Sequence, residues 1–254
     1  MTKVISIAAQ KGGVGKSTTA LHLVHYIAQR GQRVLLIDCD TQGNASQCLV
    51  EGAGHDDGTS RLFLQKKPGF DVIVAAEGHE LIGVIPADGA LVDIERLPLG
   101  TEKTFRANVR RLGEGYEYVV IDTPPTMGFA MLAPLVASDY AFSPMAPEPY
   151  SFKGVRALSD RVEQIRTQYN PELRYLGLLV NRWNRRHKQQ TEVVEALRES
   201  MGDYLIPFQI GERAAIASVA FTGEPVWQVR SGAGRVAAKE MRAALQWIVD
   251  RTTE

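Results

Sequence analysis

Gln10-Lys-Gly-Gly-Val-Gly-Lys-Ser-Thr18 is the stretch whose reading decides the fold of this chain. It follows a short apolar run, Val4-Ile-Ser-Ile-Ala8. It precedes residues 17–30, where Leu21, Val24, Ile27 and Ala28 share one helical face until Gly31 stops the helix. Glycines between a buried strand and a helix let the backbone fold tightly enough to turn several N–H groups onto one phosphate, and the helix adds its N-terminal dipole. The backbone of Gly12, Gly13, Val14 and Gly15 then forms the cradle, with Thr18 closing it. Lys16 reaches the β- and γ-phosphates of a nucleotide, and the Ser17 hydroxyl ligates Mg2+. The strict phosphate-loop pattern asks for glycine at position 10; here that residue is Gln10, and a second lysine, Lys11, precedes the glycine pair. The plainer alternative is a glycine-rich turn that happens to open a helix. The Lys16-Ser17 pair between a strand and a helix argues against it.

Outward from the loop, residues 33–37 and 118–121 read as further buried strands, and 72–75, 81–85, 140–145 and 175–180 as weaker ones. Residues 101–112, 153–169, 189–201, 212–221 and 235–251 carry helical patterns, and 52–69 supports only a loop with one short helix. Wholly apolar strands that alternate with helices predict an α/β fold, a mostly parallel twisted sheet with helices on both faces. No repeat, low-complexity tract or linker interrupts it, so one domain over 1–254 is expected.

Two strands end in carboxylates. Ile37-Asp-Cys-Asp40 closes the second strand and Val119-Val-Ile-Asp122-Thr-Pro-Pro125 the strand at 118–121. Carboxylates at the C-terminal ends of parallel strands face the ligand crevice. Asp122 reads as the Walker B aspartate that holds Mg2+ directly or through water. Asp38 reads either as a strand-end turn former or, with Asp40 two residues on, as part of the site.

Lys11-Gly-Gly-Val-Gly-Lys-Ser-Thr18 resembles the deviant Walker A motif of the ParA/MinD ATPases. The resemblance implies a P-loop NTPase fold with ATP and Mg2+ as cofactors. It implies that Lys11 crosses a dimer interface to the partner's nucleotide, where it offsets the charge of two facing ATP molecules. It also implies that Asp40 orients the attacking water and that Asp38 lies nearer the Mg2+ shell. The proline pair and Gly128 resemble the family's switch region. Pro144 to Tyr150 resembles a Pro-x-x-x-Glu-x-Tyr segment, and Leu81 to Ala87 a strand ending in Ile-Pro. By the same resemblance Asn181 hydrogen-bonds the adenine base, and Ile206-Pro207 supplies a second contact to it, made largely by backbone at Pro207. Residues 52–69 match nothing in the family.

Composition narrows the branch. Lys plus Arg is 29 and Asp plus Glu is 29, so a polyanion-coating role does not follow from net charge. Cys39 and Cys48 match neither a metal motif nor the cysteines of the iron-protein or cluster-scaffold relatives, and they fit a reducing cytoplasm. Residues 127–147 form the longest apolar stretch, but Asp139, Pro134 and Pro144 interrupt it, so no membrane span is expected. No signal peptide is read ahead of the loop, and no N-terminal helix-turn-helix domain. The end Trp247-Ile-Val-Asp-Arg-Thr-Thr-Glu254 lacks the basic amphipathic tail of MinD.

Between Glu172 and Glu192 lie five basic residues and no acid: Arg174, Arg182, Arg185, Arg186 and Lys188. Arg230, Arg235 and Lys239 do the same between Glu224 and Glu240, and Arg235, Lys239 and Arg242 share one helical face. Each cluster reads either as a solvated polar face or as a phosphate-backbone reader. The resemblance favours the second and adds Arg213, where the family often carries a DNA-binding arginine. The expectation is a short-form ParA-type plasmid or chromosome partition ATPase, cytoplasmic and nucleoid-associated. It implies an ATP-dependent homodimer that binds double-stranded DNA without sequence preference and is stimulated by a ParB-type centromere-binding protein. A MinD-like membrane-cycling ATPase, or another cargo-positioning relative, is the alternative.

Overall fold

A computed structural model describes residues 1–51, 57–149 and 151–253. The chain runs β1 (Lys3–Ile7), α1 (Lys16–Gln29), β2 (Val34–Asp38), α2 (Ser60–Leu64), β3 (Val74–Ala76), β4 (His79–Ile85), α3 (Thr101–Gly113), β5 (Tyr118–Asp122), α4 (Phe129–Ala137) and β6 (Tyr140–Met145). It continues α5 (Ser151–Gln168), β7 (Arg174–Trp183), α6 (Lys188–Met201), β8 (Leu205–Gly211), α7 (Ala214–Ala217), α8 (Val219–Thr222) and α9 (Gly232–Arg251). The strands form one sheet in the order β3-β4-β2-β5-β1-β6-β7-β8. All neighbours are parallel except the edge pair β3–β4.

The expected α/β sheet is present, and its inner strands are wholly buried because helices cover both faces. On one face α1 and α9 pack, with Leu23, Ile27, Met241, Ala244, Leu245 and Ile248 fully buried. On α9 the buried residues fall on one helical face. On the other face α2, α3, α4 and α5 bury Phe105, Val109, Leu132 and Ile165.

Three expectations change. Residues 129–137 form a helix, α4, whose every residue is buried. It is apolar all round, so it carries no 3.6-residue stripe to read. The helix expected over 212–221 is two single turns, α7 and α8. A strand, β8, runs through Ile206-Pro207. Proline lacks the N–H that a central ladder needs, and β8 meets that limit as an edge strand whose pairing with β7 shifts register. The short helix foreseen within 52–69 is α2; residues 52–56 and Tyr150, which belong to two of the readings above, lie outside the described residues.

Candidate nucleotide site

The site lies at the C-terminal ends of β1, β2 and β5. Parallel register sets Ile7 opposite Asp122 and Asp122 opposite Asp38, so the phosphate loop and two carboxylates leave the sheet side by side. A cavity of about 860 Å³ opens there, lined by Gly12, Gly13, Gly15, Lys16, Ser17, Thr18, Asp40 and Pro125, among others.

Gly15 has φ of 91°, left-handed backbone that a side chain would strain, and a Cβ on it would collide with Asn181. No side chain caps the N-terminus of α1. Its first N–H groups are thus left to an anion, as helix starts of this kind supply. Lys16 is buried, and burial draws its ammonium below the ordinary lysine value against the opposing pull of Asp122 and Asp40.

The three carboxylates differ. Asp122 is fully buried, and neither of its oxygens meets a donor at hydrogen-bond geometry. Burial pushes its carboxyl well above the usual range, the nearby Asp38 adds to this, and Ser17 and Lys16 ease it only in part. Two orphaned oxygens beside a serine hydroxyl suit a divalent cation shared with a phosphate. Asp38 is already committed. Its Oδ2 accepts from the Ser46 backbone N at 2.8 Å and from Ser46 Oγ at 2.9 Å, and its Oδ1 accepts from the Asp40 N at 3.1 Å. Burial raises its pKa to about 6 despite those bonds. In this arrangement the Asp38 oxygens organise residues 40–46. Asp40 lines the cavity, its Oδ1 accepting from the Gln42 N at 3.0 Å. Among the described residues no cluster of three or more His, Cys, Asp or Glu forms a self-contained metal cage.

Other expected residues land differently. Asn181 lines the cavity, but its Nδ2 donates to the Val14 carbonyl at 2.8 Å and its Oδ1 accepts from the Arg182 N, so it braces the loop. Pro207 is exposed on β8 and is not among the residues that line the cavity. Gly211, Glu212, Arg213 and Ala214, farther along the same strand and turn, form that wall instead. Lys11 pairs with Glu148 of the same chain.

The basic residues divide. Arg182 has φ of 55°, the one non-glycine in left-handed backbone among the described residues. Its guanidinium donates to the Gly13 carbonyl at 2.6 Å and to Glu212 at 3.1 Å, so it clamps the phosphate loop. Arg213 is tied to Glu240 through two bonds of 3.0 and 2.6 Å. Arg242 lies over the Trp227 ring and donates to Gln29 at 2.9 Å. Arg185 stacks on Trp183, and Lys188 faces Glu192. Arg186, Arg235 and Lys239 are exposed and make no ion pair among the described residues. Sequence reasoning missed Glu212 as a clamp partner and Gln47 and Cys48 as cavity wall. Neither set carries a local signal, because each reaches the cavity only through the fold.

Comparison with known proteins places the chain among partition ATPases. A family model described as an AAA domain (AAA_31) matches residues 2–175. The chain is 33% identical over 249 residues to protein IncC of Escherichia coli, covering 97% of this chain and 68% of IncC. It is 34% identical to the chromosome-partitioning ATPase Soj of Thermus thermophilus, covering 88% of this chain and 87% of Soj. A putative plasmid partition protein from Borrelia burgdorferi, solved bound to AMPPNP, superposes with a TM-score of 0.83 over 99% of this chain and 100% of that one. At 22% identity, that likeness shows a shared fold.

Proposed function

The chain belongs to the family of ParA, Soj and IncC partition ATPases, and from that premise we propose that it is a DNA-partition ATPase working as one domain over 1–254. ATP-bound chains pair into a dimer, the dimer holds DNA through its phosphates, and a ParB-type partner stimulates hydrolysis and release. The cycle runs in the cytoplasm on the nucleoid.

The observation that carries this reading is Asp122, fully buried with two unpartnered oxygens beside Lys16 and Ser17. Ser17 and Asp122 are the residues that would hold Mg2+. The ion, when bound, neutralises charge on the transferred phosphoryl group. Lys16 and the N–H groups of 12–18 bind and orient the phosphates. Asp40, on the cavity wall, positions the attacking water. Lys11 leaves Glu148 to reach the partner's nucleotide, exchanging one carboxylate for a denser negative charge. Arg186, Arg235 and Lys239, exposed and without an ion pair among the described residues, would meet a DNA backbone, and doubling so small a set in a dimer makes affinity follow the nucleotide state.

The test is binding to a random-sequence duplex in ADP and in ATP over a salt series, with Asp40→Ala holding the ATP state. Tight binding in ATP alone, with log K falling steeply against log salt, is the expected outcome. Absence of binding in both states removes DNA from the proposal and leaves the ATPase.

A further inference from the structure

The segment that follows Asp122 is fastened at both ends. At the near end Thr123 Oγ1 donates to the Ile7 carbonyl of β1 at 2.9 Å. At the far end a carboxylate from a different element receives it: Glu95 Oε1 accepts from Thr126 Oγ1 at 2.9 Å, and Glu95 Oε2 accepts from the Phe129 N at 2.6 Å. Thr126 Oγ1 in turn accepts from the Gly128 N at 3.0 Å, so the turn is closed on itself as well as onto the two oxygens of Glu95. Between the two ends stand Pro124 and Pro125, whose φ angles are locked, and Pro125 forms part of the cavity wall.

Glu95 is itself well placed to hold a position. It lies on the 3-10 segment Gly89–Arg96, whose Leu91 and Ile94 are buried. Asp88 starts that segment, its Oδ1 accepting from the Ala90 N and its Oδ2 from the Ser60 N, both at 2.9 Å. The contact also explains the residue at 128. A Cβ there would run into the Glu95 carboxylate, so glycine permits the approach. A negative side chain at the first turn of α4 gains from the helix dipole as well.

We infer that Glu95 is a positioning residue for the ATPase reaction: it holds residues 123–128, and through them the Asp122 carboxylate and Pro125, in the geometry that hydrolysis uses. The inference rests on the ATPase reading above. Glu95 touches no reacting atom. Its effect is entropic, because a restrained segment does not have to be ordered again in each turnover. Its loss therefore acts on kcat and leaves ground-state binding by the phosphate loop intact.

The experiment measures basal ATP hydrolysis and thermal unfolding for the wild type, Glu95→Ala, Glu95→Gln, Thr126→Ala, Gly128→Ala and the Glu95→Ala/Thr126→Ala double variant. Removing the two bonds to Glu95 is expected to lower kcat roughly fivefold to tenfold with KM within about twofold. Glu95→Gln, whose side-chain carbonyl still accepts from the Phe129 N, recovers more than half of that loss. Gly128→Ala, which displaces the carboxylate, imitates Glu95→Ala. The double variant is no slower than Glu95→Ala, because both changes break one unit. The inference falls if Glu95→Ala keeps wild-type kcat. It falls equally if the loss is not rescued by glutamine and follows the melting temperature across the set. A wild type that hydrolyses no ATP overturns the ATPase reading instead, and leaves Glu95 no reaction to serve.

Discussion

The phosphate loop and the basic C-terminal third are both read in the sequence by their lysines and arginines, yet the fold treats them in opposite ways. In the loop, the position of Lys16 follows from its immediate neighbours: glycines at 13 and 15 take left-handed backbone, α1 begins, and the lysine is buried facing the cavity. In the C-terminal third, distant partners claim the cations. Arg182 goes to Gly13, Arg213 to Glu240, and Arg242 to Trp227 and Gln29. Only tertiary contact separates those arginines from Arg186, Arg235 and Lys239. Spacing along a chain thus locates a backbone cradle well and a charged surface poorly.

That contrast can be broken at four points, in descending order of effect. Lys16→Ala removes a buried cation whose partners are phosphates, and it is expected to weaken ATP binding by about 4 kcal/mol, a factor of about 1,000. Titration of a fluorescent ATP analogue checks this, and near-normal affinity would mean that the loop is not the nucleotide cradle.

The second point is the seam between the two regions. His22 Nδ1 donates to the Thr18 carbonyl at 2.7 Å, and its Nε2 accepts from the Val226 N at 3.1 Å, which requires a neutral ring. Burial lowers its pKa from 6.5 to about 4, with the Thr18 contact opposing. The folded value is depressed, so the unfolded chain takes up the proton first. Stability from this group is complete above pH 6.5 and is lost as pH falls toward 4, by about 3 kcal/mol in all. Asp38, raised to about 6, titrates with the opposite sign, so the histidine contribution is read as a difference. The stability deficit of His22→Asn relative to the wild type should shrink by that amount between pH 7 and 4 in urea unfolding. A constant deficit would contradict the neutral buried ring.

Third, Arg213→Ala breaks a half-buried, two-bond pair with Glu240 and should cost about 2 kcal/mol of stability. It should change DNA affinity less than the loss of Arg235 does. The reverse ranking, measured by chemical unfolding and duplex binding, would return Arg213 to the DNA surface. Fourth, alanine at Arg186, Arg235 or Lys239 should shift stability by no more than about 0.5 kcal/mol, while each lowers the salt slope of DNA binding by about one. A slope unchanged by all three would show that these exposed cations are a solvated face.

Much of the fold was legible because its strands are short, wholly apolar and separated by helices. The two failures in helices have opposite causes. Phe129–Ala137 hid because it is apolar on every side, and residues 212–221 misled because exposed Ala217 and Phe221 imitate a continuous helix that breaks at Ser218. Within the site, the roles of Asp38 and Asp122 looked alike in sequence, since each ends a strand. Ser46, eight residues beyond Asp38, takes up its oxygens, and nothing comparable reaches Asp122.

By itself the sequence determined the phosphate loop, the parallel sheet behind it and the family to which the chain belongs. Those features depend on residues within a few positions of one another, where backbone conformation and side-chain periodicity act directly. Tertiary structure alone decided which aspartate stays unsatisfied, which arginines are tied to distant partners, and that Glu95 receives the segment after Asp122. Each of those outcomes is a hydrogen bond or an ion pair between separate elements. Such bonds form only where the fold brings a donor and an acceptor within about 3 Å, a condition that no local pattern encodes.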